Sequence, residues 1–171
     1  MKMAKKTILY IIALVMATAC IEEQPGDNSS IIARGDALPD FSVHTSQGEH
    51  YCKDSLEGRR SVIVFFNTSC ADCRQELPRV DSLYKAMRHD DDFRLICIAR
   101  DEEQESIEHF WNENGLTMPY SAQNGKKVYN LFAKSIIPRI YISSRDGIVR
   151  FVYGDSSMPS FATLMTALDN I

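Results

Sequence analysis

Residues 62–73 of the chain read VIVFFNTSCADC, and this stretch constrains the fold more than any other. Its first five residues form a continuous β-branched and aromatic run, which is typical of a strand covered on both faces. Cys70 and Cys73 follow, separated by two residues, where the chain turns toward a helix. The first turn of a helix offers unpaired N–H groups and a positive dipole end, and both favour a thiolate. The stretch therefore predicts a strand–turn–helix unit that carries a redox-active thiol pair.

Patterns elsewhere in the chain predict further strands and helices around this unit. Alternating residues on either side of Gly48 predict a short pair of strands, and Asp146-Gly147 predicts a hairpin. Apolar runs predict strands at 93–99, 139–143 and 148–153, and helical spacing predicts helices from the cysteine motif to about 89 and at 103–114, 126–133 and 159–171. This order predicts an α/β sandwich whose sheet is parallel at its centre and antiparallel at one edge.

The N-terminus carries the pattern of an exported protein. Residues 1–19 are typical of a signal peptide, with lysines first, an apolar run at 8–16 and small residues before Cys20. Small residues directly before a cysteine resemble a bacterial lipobox, in which Cys20 becomes the lipidated N-terminus, and ordinary cleavage after Ala19 is the alternative. The remaining length, with 44% hydrophobic residues over the chain, is enough for one domain. We predict a signal peptide at 1–19, a lipid-anchored tether at 20–34 and one domain at 35–171.

Charge and cysteine content narrow the classes of function. The net charge of −4 becomes more negative without the signal peptide's lysines, so we expect no nucleic-acid partner. Export places the cysteine pair in a compartment where it can cycle between thiols and a disulfide. Cys97 lies in an apolar run and is predicted to be buried, whereas Cys52 is predicted to be a partly buried thiol, with a Cys52–Cys97 disulfide as the alternative. A zinc site is the less favoured interpretation of the motif, because it needs two further ligands.

In this order, the elements resemble the thioredoxin superfamily, and within it the membrane-anchored TlpA/ResA-like thiol-disulfide oxidoreductases of bacterial envelopes. Five features carry the resemblance: Gly35-x-x-Leu38-Pro39-Asp40-Phe41, the strand Val62 to Asn67, Cys70-x-x-Cys73-x-x-Glu76-x-Pro78, Ile137-Pro138 and Asp146-Gly147. The resemblance implies a thioredoxin-like three-layer sandwich, with a central mixed sheet, an N-terminal two-stranded extension and helices on both faces.

The same resemblance implies a function and a location. It implies disulfide exchange with exported cysteine-containing proteins, more as a reductant, with electrons from an upstream membrane donor. We expect a monomer that is held on the extracytoplasmic or periplasmic face of the bacterial envelope by lipid on Cys20. The redox-active Cys70–Cys73 disulfide is expected to be the reacting group, without a metal or other cofactor.

The resemblance also assigns roles to the residues around the motif. Cys70 is the expected nucleophile and Cys73 the resolving thiol. Glu76 lies one turn past Cys73, where a partly desolvated carboxylate is able to accept a thiol proton, and an ordinary exposed helix glutamate is the alternative. In similar proteins the bond before the matching proline is cis, so Ile137 and Pro138 are expected to contact the substrate peptide.

The residues beside the cysteines are predicted to tune the redox potential of the pair. The charge of Asp72 opposes a thiolate at Cys70, which favours a more reducing couple. Ser69 stands where similar proteins usually have tryptophan, and Ala71 is the other residue between the cysteines.

Two other functions stay open at this point. A thiol peroxidase of the peroxiredoxin type shares the segment Gly35 to Phe41, but its signature needs a threonine three residues before the reactive cysteine. Thr68 lies two residues before Cys70. The other alternative is a non-catalytic binding lipoprotein that keeps the fold.

Overall fold

The computed structural model describes residues 29–154 and 158–171 of the chain. Cys20 and the predicted signal peptide lie outside these residues, so both stay predictions. Within the described ranges, no helix is both long and apolar enough to cross a membrane.

Two sheets and five helices make up the described structure. The strands are β1 Ser42–His44, β2 His50–Cys52, β3 Arg60–Phe66, β4 Phe93–Ala99, β5 Tyr120–Ser121, β6 Arg139–Ser143 and β7 Val149–Tyr153. The helices are α1 Lys53–Leu56, α2 Ala71–Met87, α3 Gln104–Asn114, α4 Tyr129–Phe132 and α5 Phe161–Asp169. Strands β1 and β2 form an antiparallel pair of their own, which is the predicted two-stranded extension.

The central sheet has the strand order β5-β4-β3-β6-β7. Strands β3, β4 and β5 are parallel, whereas β6 runs antiparallel to β3 and β7 antiparallel to β6. Val64 in the middle of β3 lies opposite Cys97 on one side and Ile140 on the other. The predicted parallel centre with an antiparallel edge is confirmed, and β3, which leads into the cysteine motif, is the central strand.

Side chains of β3 alternate between two separate parts of the core. Val62, Val64 and Phe66 pack with the apolar faces of α2, α3 and α5. Ile63 and Phe65 pack on the other face, with α1, α4 and the β1–β2 pair. Helices therefore cover both faces of the sheet, as expected for a three-layer sandwich.

Three elements differ from the sequence predictions. Strand β5 and helix α1 were not predicted, because a two-residue strand and a four-residue helix carry no periodicity to detect. Strand β5 forms because Tyr120 pairs with Cys97 of β4, a contact between residues far apart in sequence. The helix predicted at 126–133 is limited to Tyr129–Phe132.

Candidate active site

Cys70 lies at the N-terminal cap of α2, at the end of the turn that follows β3. Its backbone is extended, with φ −81° and ψ 122°, and its sulfur accepts a hydrogen bond from the backbone N–H of Cys73 at 3.5 Å. The side chain is partly exposed. A sulfur at this position faces the positive end of the helix dipole and an N–H donor, which both stabilise negative charge. The location suits a thiolate that a substrate can reach.

Cys73 lies one turn further along α2 and is fully buried. It packs in the core beneath the helix with Phe66 and Leu77. Burial raises the pKa of the Cys73 thiol, and the neighbouring Cys70 and the charge of Asp72 raise it further. The two thiols are therefore unequal, since one is reachable and the other is buried and favoured as the protonated form. This fits the predicted division into nucleophile and resolving thiol, which stays a prediction.

Glu76 is a buried carboxylate, not an exposed helix residue. Its side chain has no exposed surface, and Oε2 accepts a hydrogen bond from Nη1 of Arg79 at 2.9 Å. Within the described part of the chain, Oε1 is buried without a hydrogen-bond partner. Burial raises the pKa of Glu76, and Arg79 partly opposes this effect. The carboxyl group is thus held in an environment that favours taking up a proton.

Ile137 and Pro138 lie against Cys70 from the other side of the turn. The bond between them is cis, as expected from the sequence. The Cys70 thiol lies 3.6 Å from the carbonyl oxygen of Ile137 and donates a hydrogen bond to it. Pro138 is buried, whereas Ile137 is partly exposed. The structure therefore brings the predicted substrate-contacting pair directly beside the predicted nucleophile.

Ser69, Ala71 and Asp72 are all exposed on the rim around Cys70. The backbone N–H and hydroxyl of Ser69 both donate to Oδ1 of Asn67, at 2.9 and 2.5 Å. Asp72 lies in the first turn of α2, where its charge raises the pKa of Cys73. The predicted influence of these residues on the redox potential stays a prediction.

Sequence reasoning missed two residues that shape the site. The carboxylate of Glu102 accepts hydrogen bonds from the backbone N–H of Thr68 at 2.8 Å and from its hydroxyl, which fixes the turn before Cys70. Arg139, directly after Pro138, is 1% exposed. An arginine next to a proline in an otherwise apolar strand was a detectable signal for the second residue, whereas Glu102 gave none.

The cysteines outside the motif lie in two different places. Cys97 is fully buried in the core between the central sheet and α2, and Cys52 is half-buried at the start of α1. All four cysteines of the described residues are thiols, so the alternative of a Cys52–Cys97 disulfide is wrong for this structure. No group of three or more histidine, cysteine or acidic residues within 29–154 and 158–171 is placed to hold a metal ion.

Residues 34–152 match the family model described as the AhpC/TSA family. The chain belongs to this family. It is similar to thiol-disulfide oxidoreductase ResA of Bacillus anthracis, with 24% identity over 124 residues, which are 72% of this chain and 71% of the relative. A proposed protein disulfide isomerase of Bacteroides thetaiotaomicron superposes with a TM-score of 0.78 and 25% identity, over 84% of this chain and 92% of that one. A secreted disulfide oxidoreductase of Mycobacterium tuberculosis superposes with a TM-score of 0.67 and 18% identity, over 77% and 96% of the two chains.

These similarities bear on the predictions of family, fold and enzyme class. They confirm the ResA-like resemblance within the AhpC/TSA family and the thioredoxin-like sandwich. The enzyme class that they support is thiol-disulfide oxidoreductase. The peroxidase alternative is not favoured, because the relatives are named for disulfide chemistry and the Thr68 hydroxyl donates to Glu102.

Proposed function

We propose that the protein is a thiol-disulfide oxidoreductase that reduces disulfides of exported proteins through Cys70 and Cys73. The observation that carries this proposal is the asymmetry of the pair: Cys70 is partly exposed at the cap of α2, and Cys73 is fully buried beneath it. A two-step exchange needs one accessible thiol and one buried thiol. The accessible thiol attacks the substrate disulfide, and the buried thiol reacts only afterwards, with the mixed disulfide.

In the first step, the Cys70 thiolate attacks one sulfur of a substrate disulfide. A bond forms between Sγ of Cys70 and that sulfur, the substrate disulfide breaks, and the second substrate sulfur leaves as a thiolate that takes up a proton. The partly exposed Ile137 beside Cys70 offers backbone groups for the substrate chain to pair with, as in the addition of a strand to a sheet edge.

In the second step, Cys73 attacks Sγ of Cys70 and releases the bound substrate sulfur. The Cys70–Cys73 disulfide forms, so the protein gives up two electrons and the substrate leaves as a dithiol. Cys73 must lose its proton first, although burial raises the pKa of this thiol. Glu76, one turn away and buried, is the proposed acceptor of that proton, since burial also raises the pKa of its carboxyl group.

The proposed location is the extracytoplasmic face of the bacterial envelope, with the domain held by lipid on Cys20. The signal-peptide pattern and the small residues before Cys20 support this, and one structural neighbour is described as secreted. The oxidised pair would be reduced again by a membrane-bound thiol donor. Exported proteins that contain cysteines are the proposed substrates.

Trapping of the mixed disulfide tests the exchange itself. With Cys73→Ala the second step is blocked, so we expect exported proteins to accumulate bound to Cys70. They should be visible as bands of higher mass on a non-reducing gel and should disappear after reduction. Cys70→Ser is the matched control and should trap nothing. Equal behaviour of the two variants would contradict the proposal.

The direction of exchange is tested by the reduction potential of the pair, measured against a glutathione buffer. The charge of Asp72 and the buried protonated Cys73 favour a reducing couple, near the thioredoxin end of the range at about −270 mV. Asp72→Asn is expected to shift the potential upward. A wild-type potential near that of a strong oxidant, about −120 mV, would contradict the role as reductant.

A further inference from the structure

The first described residues of the chain are hydrogen-bonded to the segment that leads to the cis proline. Ser30 forms an antiparallel bridge with Ala133, and the N–H groups of Ile31 and Ile32 both donate to the carbonyl oxygen of Phe132, at 2.9 and 3.0 Å. In return, the N–H of Lys134 donates to the carbonyl oxygen of Ser29 at 2.7 Å. The N-terminal segment Ser29–Ile32 is therefore fixed alongside residues 132–134.

A buried arginine joins the same two segments through its side chain. Arg139 is 1% exposed, and its Nη1 donates to the hydroxyl of Ser30 at 2.6 Å. Its Nη2 donates to the hydroxyl of Ser29 and, at 3.3 Å, to the carbonyl oxygen of Ser135. A guanidinium has five N–H donors in a fixed plane, so it is able to hold several acceptors at once in a way that lysine is not. One side chain thus fixes the N-terminal segment and the loop before the cis proline relative to each other.

This loop ends in the residue that contacts the nucleophile. Ile136 is held by a hydrogen bond from the hydroxyl of Tyr129 to its carbonyl oxygen, at 2.7 Å. Its φ of 74° lies in the left-handed region, which a β-branched residue adopts only when its surroundings impose it. The next residue, Ile137, places its carbonyl oxygen 3.6 Å from Sγ of Cys70. The orientation of Ile137 therefore depends on contacts made by the residues that precede it in the loop.

We propose that Arg139 is a positioning residue, which uses the hydroxyls of Ser29 and Ser30 to hold the loop 133–137 in the orientation that binds the substrate peptide. The inference rests on the proposed function, because it concerns how that site recognises a polypeptide. The N-terminal segment Ser29–Ile32 is thereby a structural part of the substrate site. Arg139 acts through Ile137 and does not touch the reacting sulfur atoms.

The proposal predicts different effects on two kinds of disulfide substrate. A peptide disulfide needs the backbone of Ile137 for binding, whereas hydroxyethyl disulfide has no peptide backbone and needs only Cys70. Loss of the Arg139 contacts should therefore weaken binding of the peptide and leave the reaction with the small disulfide unchanged. A general loss of structure would affect both reactions together.

The test measures how fast the reduced full chain is oxidised by a synthetic peptide disulfide and, separately, by hydroxyethyl disulfide. The remaining thiols are quantified at each time by acid quench and alkylation. In Ser29→Ala/Ser30→Ala the Arg139 side chain loses two acceptors, and in Arg139→Met the two serine hydroxyls lose their donor. In both variants we expect the half-saturating peptide concentration to rise about tenfold. The limiting rate at saturating peptide and the rate with hydroxyethyl disulfide should stay within about twofold of wild type. The double serine variant keeps the arginine, so it serves even if Arg139→Met fails to fold.

Arg60→Met is the matched control for loss of an arginine, since the Arg60 side chain is only 12% exposed and is also hydrogen-bonded. Arg60 begins β3 at the end opposite Cys70, and it pairs with Asp90 and Asp92 at 2.8 and 3.1 Å. Its removal should lower stability and leave the half-saturating peptide concentration unchanged.

Two results would overturn the inference. One is an unchanged half-saturating peptide concentration in the double serine variant, and the other is an equal loss of reaction rate with the peptide disulfide and with hydroxyethyl disulfide. Wild-type protein that reduces neither disulfide would overturn the proposed function and this inference with it. Wild-type activity with unaltered variants overturns the inference alone.

Discussion

Helix α2 carries two buried carboxylates in two different settings. Glu76 and Asp81 are 0% and 3% exposed, and each pairs with a basic side chain one turn later, Arg79 at 2.9 Å and Lys85 at 2.6 Å. Asp81 also accepts hydrogen bonds from the backbone N–H groups of Thr117 and Met118, at 2.7 and 3.0 Å. Oε1 of Glu76, within the described residues, has no such donor.

The two settings shift the acidity of the groups in opposite directions. Burial raises the pKa of both carboxyls, but the Lys85 and backbone donors outweigh it at Asp81 and lower its pKa overall. At Glu76 the effect of burial is larger than the opposing effect of Arg79, so the pKa stays raised. The comparison shows that hydrogen-bond donors decide whether a buried carboxylate serves as a fixed anchor or as a group that is able to exchange protons.

The largest expected effect is on stability, at Asp81. Asp81→Leu leaves the N–H groups of Thr117 and Met118 without their acceptor, so we expect the free energy of unfolding to fall by about 3 kcal/mol, measured by urea denaturation. Lys85→Met is the control: it removes a half-exposed partner and should cost less than about 1 kcal/mol. Equal losses in the two variants would show that the backbone contacts do not stabilise the fold.

The next effect is kinetic and concerns Glu76. Glu76→Gln removes the proposed proton acceptor, so the mixed disulfide at Cys70 should be resolved about tenfold more slowly at neutral pH. The measurement is its lifetime after rapid mixing and acid quench. Asp81→Asn makes the same chemical change on the same helix and should leave the lifetime unaltered. A normal lifetime in Glu76→Gln would remove Glu76 from the mechanism.

A smaller effect is the pH dependence of stability, which should have opposite signs at the two sites. The pKa of Glu76 is raised in the folded state. Its stabilising contribution to the free energy of unfolding is therefore present below the ordinary pKa of 4.5 and is lost as the pH rises. The stability of Glu76→Gln relative to wild type should therefore increase as the pH rises from 4 to 8.

Asp81→Asn should show the reverse trend in the same urea measurements. The pKa of Asp81 is lowered in the folded state, so its contribution is present above the ordinary value of 3.8 and is lost as the pH falls. The deficit of this variant should be largest near neutral pH and should shrink in acid. Parallel trends in the two variants would contradict the distinction between the sites.

The smallest expected effect follows from loss of Arg79. This residue is 48% exposed, so Arg79→Gln should change stability by less than about 1 kcal/mol. It should nevertheless raise the pKa of Glu76 further and move the pH profile of mixed-disulfide resolution to higher pH. Arg88→Gln, further along the chain and away from Glu76, is the control. An unshifted profile would show that Arg79 does not control the acidity of Glu76.

Much of the fold was predictable because its signals are local. The apolar run of β3, the periodicity of α2 and α3, and the Asp146-Gly147 turn each reflect steric and hydrophobic preferences within a few residues. Strand β5 and helix α1 lacked such signals, because they are too short to show a period. They exist through contacts such as Tyr120 with Cys97, which sequence spacing does not reveal.

The candidate site divides in the same way. Cys70 and Cys73 were predicted from their motif and the Ile137–Pro138 pair from the family resemblance, and the structure brings all four together. The contacts of Glu102 with Thr68 and of Arg139 with Ser29 and Ser30 join segments more than 30 residues apart, so the motifs gave no indication of them.

The sequence by itself determined the strand–turn–helix unit, the spacing of the thiols and the resemblance to thioredoxin-like proteins, because backbone and side-chain preferences of neighbouring residues encode these features. Only the tertiary structure decided that Cys73 is fully buried and that Arg139 joins the N-terminal segment to the loop of Ile137. It also decided that, among the described residues, Glu76 lies without a second donor while Asp81 has several. The physical reason is that burial and hydrogen bonding are set by whichever distant segments pack against a residue. The acidity of a carboxyl or thiol depends on that packing.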